Sequence, residues 1–184
     1  KEVLVLAVFY VGDIEEGKRR IEPLRGFAKV HGEHVGAMPY VAWQQAFDPL
    51  LTPGARNYWK SHNFSQLSDG AIDTTIEFAG KLPSPQCEIF IGLLGGQASM
   101  PATDAMAYAQ RDAKFVMNVH ARWDTAQEDQ ACIGWSRDFF NAAARYATGG
   151  VYVNFLTQDE GDRIAAAYGN NLSRLALLKR KFDP

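Results

Sequence analysis

Hydrophobic and polar residues follow two patterns along this chain, one with the period of a strand and one with the period of a helix. Alternation over residues 56–64, 87–96 and 114–123 predicts three strands. Apolar runs at residues 3–10 and 151–155 predict two more, and the first of these is suited to the centre of a sheet.

Helices are predicted where apolar residues recur every three or four positions. The longest covers about residues 125–147, and its apolar stripe comprises Ile133, Trp135, Phe139, Phe140, Ala143 and Tyr146. Another helix is predicted after the cap Asp13, a third over residues 71–80, and two more at the end of the chain. Because several strands follow one another through loops, the order predicts an α+β fold, a mostly antiparallel β-sheet with helices packed on one face. The chain has no internal repeat or flexible linker, so residues 1–184 are expected to form a single domain.

The predicted strands share a division between an apolar face and a sparsely polar one. Alternate side chains of a strand point to opposite faces, so Asn118 and His120 lie opposite Met117 and Val119. The same parity places these residues on the second face: Glu88, Phe90, Val116, Tyr152 and Asn154. Water covers such a face in the simplest interpretation. Its low charge favours the wall of a ligand cleft instead.

Composition narrows the classes of partner. Lys and Arg number 19 against 21 Asp and Glu, a net charge of −2, and this balance gives no reason to expect nucleic acid or an anionic membrane as a partner, because those need a clustered basic surface. No apolar run reaches the roughly 20 residues of a membrane span. Cys87 and Cys132 sit among apolar residues and are expected to be free buried thiols, which favours a reducing, cytoplasmic compartment. His31 and His34 are expected in an exposed loop, and no metal site is predicted.

The end of the chain carries the most specific motif. "GGVYVNF" followed by "AAAYGNNLSRLALLKRKFDP" strongly resembles the C-terminal region of FAD-linked oxidases of the berberine bridge enzyme family, within the vanillyl-alcohol oxidase and para-cresol methylhydroxylase superfamily. The family pattern is Tyr-x-Asn, Tyr-Gly-x-Asn, Arg-Leu, Lys and Asp-Pro. The matching residues are Tyr152, Asn154, Tyr168, Gly169, Asn171, Arg174, Leu175, Lys179, Asp183 and Pro184. "NYWKS" and "TDAMAYAQRDAKF" look like further, less specific landmarks.

The resemblance implies that the chain is a piece of a larger flavoprotein. Asp183-Pro184 ends the last helix where the family continues into a short tail, so a C-terminal tail is expected to be absent. The family's FAD-binding domain would precede Lys1 in the same polypeptide and would hold most of the FAD. This chain contains no Gly-rich dinucleotide fingerprint. We therefore expect a substrate-binding domain that is colourless and inactive alone.

The resemblance also implies a reaction and its residues. Such oxidases transfer a hydride from a small-molecule substrate to the flavin while a base takes a proton from the substrate. A tyrosine phenol ordinarily ionises near pH 10, so its pKa must be lowered if it is to act as that base near neutral pH. Tyr152 is the candidate base, and Asn154 is expected near the flavin or fixing its strand. The candidates for contact with the substrate are Asn118, His120, Glu88, Phe90 and the channel-lining Lys60. Because plant members have Gln or Glu near Asn118, a simple acid role is not expected there.

Each of these residues could instead have a purely structural role. Tyr152 could be a half-buried aromatic residue, His120 a structural histidine and Lys60 a surface lysine. The favoured function is an FAD-dependent oxidoreductase acting on an alcohol or C–H bond of a carbohydrate or secondary metabolite. The alternative is a non-catalytic α+β module that binds a small ligand. A cofactor-free monooxygenase with a ferredoxin-like sheet fits the alternation of elements but leaves the Asp-Pro ending unexplained.

Overall fold

The computed structural model describes residues 3–184, which divide into two compact units, residues 3–53 and residues 54–184. This division does not test the expectation that residues 1–184 form a single domain, which stays a prediction. None of the described helices has the length and apolar character that crossing a bilayer requires.

The first unit is helical where it is regular. Helix α1 (Ile14–Ile21) begins as predicted, with the Asp13 carboxylate accepting the Glu16 N–H at 2.9 Å. Helix α2 (Tyr40–Gln44) is short. The strand predicted at residues 3–10 is wrong, because that run has no regular secondary structure and its side chains are exposed. No strand occurs in the described part of this unit, so the apolar run lacks a partner there with which to form a ladder.

The second unit is built on a three-stranded antiparallel sheet. Its strands are β1 (Arg56–Phe64), β2 (Glu88–Leu93) and β3 (Phe115–Trp123), in the spatial order β1-β3-β2. The register pairs Asn118 with Ser61 on one side and Phe90 on the other, and pairs His120 with Trp59 and Glu88. All three strands predicted from alternation are confirmed.

Two helices cover one face of this sheet. Helix α3 (Asp69–Ala79) is capped by Ser68 and followed by Gly80, and α4 (Asp129–Ala143) is the long helix predicted from its apolar stripe. The core between α4 and the sheet contains Met117, Val119, Ala121, Trp123, Cys132, Trp135 and Phe139. Cys87 and Cys132 are free and buried. The α+β fold with helices on one face of an antiparallel sheet is therefore confirmed.

The segment after α4 follows the free edge of β1 without becoming a strand. Residues 151–155 were predicted to be one, but Val153–Phe155 forms a 3₁₀ turn. Two outer carbonyls of β1 accept hydrogen bonds from this segment: that of Asn63 from the Thr148 N–H at 2.9 Å and the Thr148 hydroxyl at 3.2 Å, and that of Ser61 from Arg163 Nη2 at 3.1 Å. These isolated hydrogen bonds take the place of the regular ladder that a fourth strand would form with β1. Helices α5 (Ile164–Tyr168) and α6 (Leu172–Phe182) close the chain.

Candidate functional site

The face of the sheet opposite α3 and α4 gathers four of the predicted site residues. Asn118 and His120 lie next to each other on this face of β3, and β2 places Phe90 and Glu88 beside them. The parity that the sequence indicated for β2 and β3 is confirmed by this pairing. Strand β1 adds Trp59 and Ser61 on the other side.

A polar row crosses all three strands at His120. Its Nε2 lies 3.1 Å from the Asn57 amide oxygen, and its Nδ1 lies 3.5 Å from a carboxylate oxygen of Glu88. The Trp59 ring meets the imidazole edge-on, with 5.9 Å between ring centroids. An imidazole between an amide and a carboxylate has a set orientation and can exchange a proton with a bound molecule.

The centre of the same face carries neutral polar groups that lack partners. Asn118 is 6% exposed, and its side chain makes no hydrogen bond with another described residue. Side-chain atoms of three residues on β1 are buried with no hydrogen-bond partner in the part of the chain that the structure describes: Trp59 Nε1, Ser61 Oγ and both polar atoms of the Asn63 amide. Leaving such groups unpaired costs about 1–3 kcal/mol each. Ser61 and Asn63 are 0% exposed, so a molecule that pairs with their polar atoms would have to enter the covered part of this face.

Sequence reasoning missed the contribution of β1 to this face. The polar residues Asn57, Ser61 and Asn63 alternate in "RNYWKSHNF", but so do Lys60 and His62 on the other parity. Only the pairing of Ser61 with Asn118 shows which set lies opposite the helices.

Lys60 lies on the helix-covered face, apart from the other predicted substrate contacts. Its ammonium group is 3.1 Å from Asp159 and 3.4 Å from Glu160. Burial alone would lower the pKa of Lys60, but the hydrogen bond to Asp159 and the charge of Glu160 outweigh it and raise the pKa. These contacts give Lys60 a structural role, and its place in a substrate channel stays a prediction.

Tyr152 and Asn154 form a second group. The Asn154 amide donates a hydrogen bond to the Tyr152 hydroxyl oxygen at 2.7 Å. The half-buried Tyr152 ring meets the rings of Tyr108 and Phe155 edge-on, with centroids at 6.0 and 5.3 Å. No hydrogen bond or ring contact between described residues joins Tyr152 to Asn118 or His120.

An open groove of about 510 Å³ lies beside the first residues of β1. Asn57 and Trp59 line it from the strand, and residues 156–159 line it from the segment that follows Tyr152. Asn57 also bonds to His120, so the groove adjoins the polar row. Within residues 3–184, no cluster of His, Cys, Asp or Glu is arranged to hold a metal ion.

Comparison with known proteins identifies relatives for both the sequence and the fold. Residues 151–184 match the family described as berberine and berberine like. An FAD-linked oxidoreductase of Dictyostelium discoideum is 26% identical over 185 residues, an alignment that covers 100% of this chain and 40% of the relative. The chain thus spans about two fifths of the length of that curated relative.

Two solved structures share the fold. One is GilR, an oxidoreductase that catalyses the terminal step of gilvocarcin biosynthesis, in complex with pregilvocarcin (22% identity, TM-score 0.63, covering 71% of this chain and 31% of GilR). The other is the glycopeptide hexose oxidase DBV29 complexed with teicoplanin (20% identity, TM-score 0.63, covering 71% of this chain and 30% of that chain). The resemblance seen in the sequence is confirmed: the last segment, residues 151–184, is berberine-like, and the chain as a whole is similar to one part of the length of FAD-linked oxidoreductases.

Proposed function

We propose that this chain supplies the substrate-side wall of an FAD-dependent oxidoreductase that oxidises an alcohol or C–H bond of a carbohydrate or secondary metabolite. The observation that carries the proposal is the sheet face of neutral polar groups without partners, in a chain whose last segment is berberine-like. Such a face is a binding wall that is incomplete within the described residues.

The residues present fit a flavin as neighbours rather than as its main holders. Neutral amide groups that reach the surface of this face, those of the exposed Asn57 and the 6% exposed Asn118, suit the polar edge of a flavin or a neutral substrate. The exposed Asn154 amide is the proposed contact of this chain with FAD. The sequence has no Gly-rich fingerprint for the pyrophosphate, so that part of FAD belongs to the domain expected before Lys1. FAD, when bound, supplies a hydride acceptor.

Tyr152 is the proposed general base. Because Asn154 donates to the phenol oxygen, the Tyr152 O–H must point away from that amide. Once deprotonated, the oxygen keeps the Asn154 donor and can take the hydroxyl proton of the substrate. Asn154 thus orients the base as well as bordering the cofactor.

The sheet face is proposed to bind and orient the substrate. Asn118, the least covered of the central polar residues of this face, can hydrogen-bond a substrate hydroxyl group, while Phe90 and Trp59 offer apolar ring surfaces. His120, held by Asn57 and Glu88, can exchange a proton at the edge of the site. Two structural relatives, a glycopeptide hexose oxidase and an oxidoreductase of gilvocarcin biosynthesis, support the two substrate classes named above.

The test is made on the full-length protein that contains this chain. We expect one FAD per polypeptide, measured as flavin released on denaturation, and anaerobic bleaching of the flavin by at least one of a panel of aldoses and benzylic alcohols that includes D-glucose and benzyl alcohol. A folded protein without flavin would contradict the proposal. Ligand binding by that flavin-free protein would favour the non-catalytic module instead.

The cytoplasmic location also stays a prediction. The free thiols of Cys87 and Cys132 support it, because paired cysteines are typical of oxidising compartments. Fractionation of cells that express the full-length protein would test it, and recovery outside the cytoplasm would contradict it.

A further inference from the structure

Tyr108 lies in a stretch that the function above leaves without a role. It belongs to "TDAMAYAQRDAKF", residues 103–115, which precedes and enters β3. Its half-buried ring meets the Tyr152 ring edge-on, with 6.0 Å between centroids and 87° between planes. This geometry is a favourable aromatic contact, so Tyr108 walls one side of the proposed base.

Arg111 holds Tyr108 from the other side. Its guanidinium carbon lies 4.9 Å from the centroid of the Tyr108 ring, and its Nη1 donates to the Ala98 carbonyl at 2.6 Å. Its Nε is buried with no acceptor in the described part of the chain. Burial raises the pKa of Tyr108, and the charge of Arg111 opposes part of that rise. A cation therefore lies over the Tyr108 ring, which in turn contacts the Tyr152 ring.

The loop that carries Tyr108 is tied to the C-terminal motif. The buried Asn171 amide donates to the carbonyls of Thr103 and Met106, at 2.7 and 2.9 Å. Arg174 Nη1 donates to the Asp104 carbonyl at 3.2 Å. Asn171 and Arg174 both lie in the segment that matches the berberine-like family, so that segment holds the loop in place.

We propose that Tyr108 and Arg111 are positioning residues for Tyr152, and that Asn171 fixes the loop from which they act. The proposal rests on the proposed function, because it assigns these residues to the base of that reaction. Arg111 acts through Tyr108, whose ring fills the space beside the Tyr152 phenol. Asn171 acts indirectly, because it holds the backbone of residues 103–106 in place.

The first experiment measures ionisation of Tyr152 without a substrate. The full-length wild type, Arg111→Gln and Arg111→Lys are each prepared with and without the additional substitution Tyr152→Phe. The tyrosinate absorbance of each protein is titrated against pH, and the difference within each pair isolates the ionisation of Tyr152. We expect Arg111→Gln to raise the proton affinity of that phenol about fivefold and Arg111→Lys to restore most of the original value. The same Tyr152 midpoint in all three backgrounds, with folding intact, would overturn the proposal.

The second experiment tests the anchor. Hydrogen exchange of the peptide covering residues 103–111 should accelerate about tenfold in Asn171→Ala, because two hydrogen bonds to the loop are lost. The matched control Asn170→Ala changes an exposed neighbour and should leave that exchange unchanged. Equal exchange in the two variants would remove Asn171 from this role. A failure of the proposed function would instead appear as missing FAD, which neither readout requires.

Discussion

Lys60 and His62 occupy the face of β1 that turns toward α4, and both are buried there. Lys60 pairs with Asp159 and Glu160, and Glu160 also pairs with Arg163. The ion pairs join β1 to the segment that follows Tyr152. Removing one member of a buried pair leaves the other charge poorly compensated.

Replacement of Lys60 therefore measures how much this network stabilises the fold. We expect Lys60→Met to lower the free energy of unfolding by about 3 kcal/mol. The control Lys81→Met breaks an exposed pair with Glu77 and should cost less than about 1 kcal/mol. Both are measured by urea unfolding of the full-length protein, and equal effects would show that the buried pair is not special.

His62 predicts a pH dependence of stability. Its ring stacks on Phe140, with Nε2 donating to the Phe140 carbonyl at 2.9 Å, and burial lowers the pKa of His62 to about 4. Between this value and the ordinary histidine pKa, the unfolded state binds a proton that the folded state does not. Stability due to His62 is therefore present above the unfolded pKa and falls as the pH drops through this window.

We expect the free energy of unfolding to fall by about 2 kcal/mol more in the wild type than in His62→Gln between about pH 7 and about pH 5. Asp159 and Glu160 also have lowered pKa values, through hydrogen bonds and nearby positive charges that outweigh burial. Their stabilising effect is lost mainly below this range, as the pH falls through their folded pKa values. Parallel pH curves for wild type and variant would contradict the role of His62.

At the residue scale, parity along single strands predicted much of the candidate site. It placed Asn118, His120, Glu88 and Phe90 on one face, as the structure does. It could not sort β1, where both parities carry polar residues and only the pairing with β3 decides between them.

At the scale of elements, alternation succeeded where a partner strand exists. Strands β1, β2 and β3 alternate and pair, and α4 follows its apolar stripe. The apolar runs at residues 3–10 and 151–155 have β-forming composition but no ladder. A strand depends on hydrogen bonds to a neighbour distant in sequence, which local composition cannot specify.

The packing of α4 on the sheet offers a direct test. Phe139 is fully buried in the core, while its neighbour Asp138 is exposed. We expect Phe139→Ala to lower the free energy of unfolding by about 3–5 kcal/mol and Asp138→Ala to change it by less than about 0.5 kcal/mol. Denaturant unfolding of the two variants measures the difference, and a small effect at Phe139 would contradict this account of the core.

At the scale of the whole molecule, the C-terminal motif indicated more than periodicity could. Alternation predicts a polar sheet face but not what it faces, because a solvated face and a cleft wall can share one pattern. The berberine-like match and the FAD-linked relatives favour the cleft, and the chain covers 40% of one such relative. The remaining wall and most of the flavin contacts belong to the proposed larger protein.

Anaerobic flavin reduction tests the central claim most directly. Full-length wild type, Tyr152→Phe and the control Tyr146→Phe are each mixed with the aldose or alcohol that bleaches the wild-type flavin, and the bleaching rate is recorded. The account predicts that all three proteins bind FAD and that only Tyr152→Phe is slowed, by about a hundredfold or more. Reduction of Tyr152→Phe at the wild-type rate would contradict it.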